Sequence, residues 1–394
     1  MNEFLSAFIA GESFLLCFLL YFFPLKQNAK ANKWLSFFVF ILGTIFIGNH
    51  LEKIGLDESF GQLIKIINGL QFLLAPCLYI SILYFVNPTS NFRIRYWLHF
   101  LPFAVFMFLD NFIFRSEKSI STKSLLQIGE TEVWVRDLLP FLFLGYVVVA
   151  YFTLRNHREN LEFITSTTRK KDLRWIKHFL VFLILPLAFW INDALSILDF
   201  PVLIKLTGYI YASSILFLAF NALRQGVIFP YENKDLKEIS EVIQAPDTPS
   251  DPDDRSLTNK IKPRLNDRQI AALSVKLNEL MNVQKIYLEN ELDLPAVAAK
   301  LGVSIHDASY LINKIAGDKF YNFINHYRIE EAKRLLTSAE AKNLNMLGIA
   351  FESGFNSKTA FNTAFKKWVG VSPSEYVKRQ ENHQKDVRLD NSER

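Results

Sequence analysis

The sequence predicts an all-α protein: a polytopic bundle of seven transmembrane helices, followed by a soluble all-helical domain with two helix-turn-helix units. Three observations support this prediction. Seven long apolar runs occupy the first 230 of the 394 residues. The composition then becomes polar and charged, as in ordinary soluble domains. Within this polar part, one pattern of two helices around a glycine occurs twice.

The apolar runs are long enough to cross a bilayer, which takes about 20 mostly apolar residues in a helix. We place the seven spans at 3–23, 34–51, 66–86, 96–114, 134–154, 176–197 and 203–223. The alternative is a soluble protein with buried helices, but too little polar chain remains in this half to cover so many of them. We therefore predict a transmembrane domain, with a sensor role, over residues 1–225.

The orientation follows from lysine and arginine, which are enriched in the cytoplasmic loops of membrane proteins. The loops after spans one, three and five contain twelve of these residues, and the loops on the opposite side contain seven. This difference predicts that the more basic loops face the cytoplasm. The amino terminus then lies outside, and the carboxy terminus lies inside, where nucleic acid is present.

Polar side chains within the spans are candidate sites, because they cost free energy in a bilayer and often carry function. The residues that we select as ligand-sensing candidates are Glu12, His50, Asp110, Asn192 and Asp193. In the predicted orientation nearly all polar positions fall in the outer half, where they could line a pocket for an unknown small ligand. The alternative is that they mark helix ends that meet water. Glu12 lies too deep in its span for that alternative.

The composition argues against several classes of site. Cys17 and Cys77 lie in separate apolar runs, which gives neither a disulfide framework nor metal-ligand spacing. The seven histidines are scattered, and the sequence has no phosphate-binding glycine loop, nucleophile elbow or kinase signature. We therefore expect no enzymatic activity, no cofactor and no metal site.

Residues 226–266 are predicted to form an acidic, flexible linker. The stretch QAPDTPSDPDDRS has three prolines and no aromatic residue, and residues 232–255 contain eight acids against three bases. Such a segment cannot bury enough apolar surface to fold. The preceding stretch KDLKEISEVI differs, because it can extend the last span or form a short amphipathic helix.

The two repeats of the polar half are LPAVAAKLGVSIHDASYLINKIAG, at 294–317, and NMLGIAFESGFNSKTAFNTAFKKWVG, at 345–370. In each, a short helix ends at a glycine, which permits the positive φ of a tight helix end. A serine, Ser304 or Ser357, then caps a second helix with apolar periodicity. This order predicts two helix-turn-helix units, whose second helices enter the major groove of DNA. Between them, residues 320–336 predict one helix that fixes the distance between the units.

Residues from about 267 to 380 resemble the DNA-binding domain of the AraC/XylS family of bacterial transcription regulators. The resemblance rests on FINHYRIEEAKRLL and on IAFESGFNSKTAFNTAFKKWVGVSPSEYVKR, and it leaves 381–394 as a polar tail. It implies an all-helical, sequence-specific DNA-binding domain. It covers under a third of the chain and carries no information on the apolar half.

Packing of each second helix separates a core side from a candidate DNA-reading side. The predicted core positions are Ala360, Phe361, Ala364, Phe365 and Trp368 in the second unit, and Ala308, Leu311, Ile312 and Ile315 in the first. The candidate DNA contacts are Ser357, Lys358, Thr359, Asn362, Thr363 and Lys366 in the second unit, and His306, Ser309, Tyr310 and Asn313 in the first. The family resemblance implies base contacts at Lys358, Thr359, Asn362 and Thr363. Asn suits adenine and Lys suits guanine, whereas Asp307 would repel phosphate, so the first unit is the weaker candidate.

These features together predict a membrane-anchored transcription regulator in the bacterial cytoplasmic membrane, with a bundle that senses an external or membrane signal. The expected partners are double-stranded promoter DNA, the lipid bilayer and a second copy in a homodimer, with RNA polymerase as a further candidate. Two alternatives stay open. One is a transporter or lipid-modifying protein with a helical regulatory domain, and the other is a regulator released by proteolysis in the linker.

Overall fold

A computed structural model describes residues 3–23, 28–88, 90, 92–108, 137–167, 173–195, 201–226, 228, 231, 233–244, 265–338 and 344–392. Within these ranges the chain is helical and contains no strand, which confirms the predicted all-α class. Contacts divide the chain into two bodies. The N-terminal body combines Met1–His157 with Lys171–Pro230, and the C-terminal body combines Arg158–Lys170 with Tyr231–Arg394.

The N-terminal body is built from apolar helices. In chain order they are α1 (Glu3–Phe22), α2 (Ala29–Lys53), α3 (Asp57–Val86), α4 (Leu101–Phe108, after a 3-10 turn at Ile94–Phe100), α5 (Leu139–Leu161), α6 (Arg174–Leu195) and α7 (Pro201–Arg224). Helix α2 packs between α1 and α3, and α7 packs against α6 and α1. Gly43 allows α2 to approach α1 closely, since a Cβ there would lie 3.1 Å from the side chains of Ser13 and Phe14. Small residues play this role at many helix contacts in membranes.

Six helices in the described ranges are long and apolar enough to cross a membrane. They are Glu3–Phe22, Ala29–Leu51, Gly61–Val86, Leu139–Leu161, Arg174–Leu195 and Leu206–Arg224. Of the predicted fourth span, 96–114, the described part is the shorter apolar stretch Ile94–Phe108, and its remainder lies outside the described residues. The fifth span ends at Leu161, later than the predicted 154.

The C-terminal body contains shorter, amphipathic helices. They are α8 (Asn233–Gln244), α9 (Asp267–Asn282), α10 (Leu294–Leu301), α11 (Ile305–Ala316), α12 (Phe320–Thr337), α13 (Met346–Glu352), α14 (Lys358–Val369) and α15 (Pro373–Ser392), with a 3-10 turn at Ile286–Leu288. Helix α8 is a separate short helix rather than an extension of α7, which settles one choice that the sequence left open. Residues 245–264, about half of the predicted linker 226–266, lie outside the described residues.

The second helix-turn-helix packs its core on the connecting helix α12. Its buried residues are Ile329, Ala332, Leu335, Ile349, Ala350, Phe355, Phe361, Ala364 and Phe365. Two positions predicted to face inward do not do so, because Ile315 is 48% exposed and Trp368 is 38% exposed. Each lies in the last turn of its helix, one turn beyond the last buried residue. Trp368 nevertheless contacts the ring of His326 in α12, with centroids 5.3 Å apart.

Candidate nucleic-acid interface

The first helix-turn-helix, α10 and α11, has side-chain caps at both helix starts. Asp293 accepts a hydrogen bond from the Ala296 N–H and caps α10. Gly302 ends α10 with φ of +77°, in the left-handed region that glycine adopts at no steric cost. Ser304 accepts from the Asp307 N–H at 3.1 Å and caps α11. The predicted glycine turn and serine cap are confirmed here.

The second helix-turn-helix, α13 and α14, follows the same plan. Asn345 caps α13, Gly354 has φ of +86°, and Ser357 caps α14 by accepting from the Ala360 N–H at 3.2 Å. Ser357 is only 8% exposed. Although Ser357 is one of our candidate DNA contacts, the structure shows its hydroxyl in use as a helix cap.

The candidate reading face of α14 is open. Lys358, Thr359, Asn362, Thr363 and Lys366 are all exposed, while the opposite face of the helix packs into the core. Three of these residues, with Lys367, line an open depression of about 460 Å³. An ammonium group therefore stands at each end of this face, with amide and hydroxyl groups between them. These are the donor and acceptor types that contact phosphates and base edges.

Lys367 differs from its neighbour in having a partner within the domain. Its Nζ donates to Asn322 Oδ1 of α12 at 3.0 Å. This bond ties the last turn of α14 to the connecting helix. Lys366 is in none of the ion pairs found among the described residues, and its ammonium faces solvent. Lys366 is therefore the better candidate of the two for a phosphate contact.

The equivalent face of α11 is partly covered. His306, Ser309 and Tyr310 are half-buried, and of the four candidate contacts in this helix only Asn313 is exposed. Helix α8 packs against α11. The apolar side of α8 is buried in this body, with Ile239 exposed at 2%.

An acidic side chain of α8 also sits at the start of α11. Glu238 Oε2 accepts a hydrogen bond from the Ile305 N–H at 3.0 Å. Backbone N–H groups at helix starts are donors that proteins commonly use for DNA phosphate oxygens. In this structure the Ile305 N–H instead donates to the Glu238 carboxylate. The amphipathic pattern of KDLKEISEVI was the one sequence signal that pointed toward this contact.

Arg328 of α12 is a central residue that the sequence analysis did not single out. Its side chain is fully buried, and its i±4 neighbours Ile324 and Ala332 are buried too. Its Nε donates to the Tyr287 carbonyl at 2.7 Å, and Nη2 donates to the Glu289 carbonyl at 2.8 Å. Burial lowers the pKa of Arg328 to about 10, so the guanidinium stays charged at neutral pH. A basic residue in line with apolar ones on a helix was the available sequence signal.

Arg328 also contacts the turn of the second helix-turn-helix. The guanidinium lies over the ring of Phe355, 5.8 Å from its centroid. A Cβ on Gly354 would come within 3.1 Å of the Arg328 Nε and within 2.6 Å of the Tyr287 carbonyl oxygen. One buried side chain therefore joins the 3-10 turn that precedes the first unit to the turn of the second. This contact fixes the relative placement of the two units.

The ligand-sensing candidates lie on separate helices of the N-terminal body. Glu12 lies in the middle of α1, and both of its carboxylate oxygens are buried without a hydrogen-bond partner. His50 lies near the end of α2, and its Nδ1 is also buried without a hydrogen-bond partner. Asn192 is half-buried and Asp193 is exposed, near the end of α6. Asp110 lies outside the described residues, so the predicted pocket stays a prediction.

The structure brings together a different polar group in this body. His99, in the turn before α4, has its Nδ1 2.8 Å from the Tyr146 hydroxyl of α5. The Tyr79 ring of α3 lies 5.6 Å from the His99 ring and 5.7 Å from the Tyr146 ring. No local pattern in the sequence points to this group, because its members come from three distant segments.

Comparisons with known proteins agree with the geometry of the C-terminal body. A family model described as a helix-turn-helix domain matches residues 297–379. An uncharacterized HTH-type transcriptional regulator of Staphylococcus aureus is 28% identical over 101 residues, which cover 26% of this chain and 13% of that protein. Another, from the cgkA 5′ region of Pseudoalteromonas carrageenovora, is 32% identical over 117 residues, which cover 28% of this chain and 66% of that protein. The HTH-type transcriptional activator AarP of Providencia stuartii is 34% identical over 90 residues, which cover 23% of this chain and 64% of that protein.

The chain thus spans less than two thirds of the length of each of these relatives. No solved structure matches it significantly. The paired units, their glycine turns and serine caps, the connecting helix and the matching family model lead to one conclusion. The C-terminal part of this chain is an AraC-type helix-turn-helix domain, of the kind that occurs in transcriptional regulators.

Proposed function

We propose that this protein is a membrane-anchored transcription regulator that binds promoter DNA sequence-specifically through α14. The observation that carries the proposal is the open face of α14, on which all five outward candidate contacts are exposed. Lys358, Thr359 and Asn362 lie in its first turns, where a recognition helix reaches base edges. Asn362 suits adenine and Lys358 suits guanine in the major groove. Lys366, farther along, is placed for a phosphate.

The membrane anchor is supported by the surface of the N-terminal body. Phe18, Phe152, Val181 and Phe220 are each half or more exposed. Soluble monomers rarely expose apolar surface on this scale, whereas lipid covers it. The distribution of lysine and arginine supports a multi-pass topology with the amino terminus outside and the DNA-binding domain in the cytoplasm. Because the family model matches residues 297–379 and not the apolar half, this assignment rests on the chain itself.

Signal sensing is the remaining part of the proposal. Glu12 supports it best, because an unpaired carboxylate in the middle of an apolar helix is costly unless a ligand or a proton occupies it. A ligand shifts transcription only if it binds two states of the bundle with different affinity. A homodimer would give such states a route to DNA, since dimerisation raises the effective concentration of the second domain. RNA polymerase is a further proposed partner.

Chromatin immunoprecipitation through a carboxy-terminal tag, beside membrane fractionation, tests the proposal. We expect discrete promoter peaks while all tagged protein stays in the membrane fraction. The double variant Lys358→Ala/Asn362→Ala should lose the peaks. Lys333→Ala is the matched control, since it removes a lysine from α12 that pairs with Glu330 at 2.7 Å. Peaks with a soluble fragment would mean release by proteolysis, and the absence of peaks in several growth conditions would contradict the proposal.

A further inference from the structure

Residues 162–167 connect two predicted membrane spans, yet their contacts place them in the C-terminal body. They follow the end of α5 at Leu161 directly. Ile164, Thr165 and Ser166 are no more than 2% exposed. A short loop with this degree of burial has a defined binding surface. In this protein that surface belongs to the AraC-type domain.

The segment pairs with the chain just before α10. The Ser166 N–H donates to the Leu292 carbonyl at 3.1 Å, and the Leu294 N–H donates to the Ile164 carbonyl at 2.9 Å. These two bonds enclose an antiparallel bridge between Thr165 and the α10 cap residue. Backbone pairing of this kind is the usual way in which an extended segment adds to a folded domain.

The segment also caps the connecting helix. Lys319, at the N-cap position of α12, makes no side-chain cap hydrogen bond. Instead the Tyr321 N–H donates to the Glu162 carbonyl at 2.9 Å. The Lys319 ammonium lies over the Phe163 ring at 4.3 Å from the centroid. A helix start leaves N–H groups that need partners, and here one of these partners comes from the loop.

The strongest contact is with Arg328. Its Nη2 donates to the Ser166 hydroxyl at 3.0 Å, and its Nη1 lies 3.4 Å from the Ser166 carbonyl oxygen. The amide of Asn325 lies 3.5 Å from the same carbonyl. The loop therefore completes the set of acceptors around a buried guanidinium. Loss of acceptors from a buried charge is costly, so the placement of Arg328 depends on the segment.

We propose that residues 162–167 are the docking element through which the membrane-spanning part acts on the AraC-type domain. When docked, the segment caps α12 and completes the partners of Arg328, which holds the two helix-turn-helix units at one spacing. When the segment is undocked, the start of α12 loses this cap and Arg328 loses these partners. A displacement of α5 reaches the segment through the covalent chain, with no linker between them. The consequence for DNA binding rests on the proposed function, whereas the docking and the spacing do not.

The test uses the full-length protein in nanodiscs, with Ile164→Asp as the undocking variant and Ile164→Val as the matched control. Ile164 has no exposed surface, so a carboxylate there has no partner, whereas valine keeps the packing. Spin labels at Asn313→Cys and Thr363→Cys, both exposed, report the spacing of the two units after Cys17 and Cys77 are replaced by alanine. Hydrogen exchange of peptides 290–296 and 318–324 reports the docking.

We expect Ile164→Asp to raise the exchange of both peptides by about tenfold or more, because local opening then costs less. The distance distribution should broaden, and affinity for promoter DNA should fall by about tenfold or more, as for loss of one charged hydrogen bond. Ile164→Val should leave the exchange of both peptides, the distance distribution and the DNA affinity unchanged. Exchange in α14 should be unchanged in both variants. Unchanged exchange in Ile164→Asp would overturn the docking, and raised exchange with an unchanged distance would overturn the control of spacing. A parent that binds no DNA would refute the proposed function, while exchange and distance would still decide this proposal.

If the Ile164→Asp protein fails to insert into the membrane, a disulfide that locks the segment in its docked position provides the opposite test. Thr165 and Asp293 form a non-hydrogen-bonded antiparallel pair, whose Cα atoms lie about 4.5 Å apart in general. That distance lies in the disulfide range. We expect Thr165→Cys/Asp293→Cys to cross-link under mild oxidation and to narrow the label distance. Failure to cross-link, with Ser338→Cys/Asp293→Cys as the negative control, would overturn the proposal.

Discussion

The two helix-turn-helix units share one plan and differ in their surroundings. Both have a capped first helix, a glycine turn with positive φ and a serine-capped second helix. The outward face of α14 is open, whereas that of α11 is half-buried in a body where α8 packs against it. The difference shows that a repeat in sequence does not give two second helices with equally exposed outward faces. The helix that packs on α11, α8, belongs to neither repeat, and its Glu238 accepts from the Ile305 N–H at the start of α11.

The turns differ as well. A Cβ at Gly302 would meet open space, whereas one at Gly354 would lie 2.6 Å from the Tyr287 carbonyl oxygen and 2.9 Å from the Leu288 Cα. The first turn therefore needs glycine for its φ alone. The second needs it also because another part of the backbone passes close by. The second turn is the more constrained of the two, and it leads into α14, whose outward face is open.

The largest expected effect comes from substitution at these turns. Gly354→Ala combines a positive φ, which costs about 1–2 kcal/mol, with a clash against backbone that cannot move aside, which adds about 1–3 kcal/mol. Gly302→Ala carries only the first cost. Hydrogen exchange of α14 and α11 peptides in the full-length protein measures both variants. Equal losses of protection would contradict the assigned difference between the turns.

The next effect concerns DNA affinity. Lys358→Ala/Asn362→Ala removes two candidate base contacts from the open helix, and we expect a loss of about 30-fold or more, because each good base contact is worth about 1–3 kcal/mol. His306→Ala/Asn313→Ala in α11 should cost less than about threefold, because α8 limits access to that helix. Fluorescence anisotropy with labelled promoter DNA at fixed salt gives both values. Larger losses from the α11 pair would reverse the comparison.

The local signals were readable from the sequence, and the long-range ones were not. The caps Ser304 and Ser357 and the glycine turns follow from residue types a few positions apart, and the structure confirms them. The buried Arg328 was not predicted, because a basic residue on a helix usually reaches water with its long side chain. Its partners come from the 286–289 turn and from Ser166, far away in the chain.

The same limit explains the errors at helix ends and the missed docking. Ile315 fits the apolar period of its helix, yet it lies one turn past the last residue that has a packing partner. Periodicity gives the face of a helix but not where its neighbour stops. Seven basic residues flank the 162–167 segment, and the sequence analysis used them only to predict the membrane topology. Nothing in the pattern of the segment itself shows that it pairs with 292–294.

A smaller effect should follow when α11 is uncovered. Ile239→Asp places a charge at a residue that is 2% exposed in α8 and should detach that helix. The start of α11 would then lose the Glu238 carboxylate and regain a free donor for phosphate. We expect a footprint longer by one major-groove face, about 10 base pairs, and affinity higher by about threefold or more through added phosphate contacts.

Lys234→Ala is the matched control for this variant, since it changes the charge of α8 by the same amount at an exposed position. Footprinting of the full-length protein on one promoter compares both with the parent. An unchanged footprint in Ile239→Asp would mean that α11 does not read DNA even when it is free. That outcome would leave α14 as the single recognition helix of the domain.

The smallest expected effect is a pH dependence confined to the 3-10 turn that precedes the first unit. Glu331 is 9% exposed. Its Oε1 accepts from Arg334 at 2.9 Å and its Oε2 lies 3.4 Å from the Lys285 ammonium. The hydrogen bond from Arg334, aided by Lys285, holds the pKa of Glu331 below its ordinary value of 4.5. A carboxyl whose pKa is lower in the folded state stabilises that state above its unfolded pKa, and this contribution is lost as the pH falls through the folded pKa.

The stabilisation should amount to about 1 kcal/mol or less, because the side chains of Arg334 and Lys285 are 50% and 41% exposed, so that solvent screens both charges. Burial raises the pKa of Tyr287, which lies in the same turn, to about 12, so its hydroxyl stays neutral across this range. The core of the second unit consists of apolar side chains and has no equivalent carboxylate among its cluster. As the pH falls from about 5 to about 3, through the lowered pKa of Glu331, exchange normalised to the unfolded chain should therefore rise in the 286–288 turn before it rises in α14. Glu331→Gln should remove this difference between the two regions, and a variant that keeps it would show that another group near the first unit titrates instead.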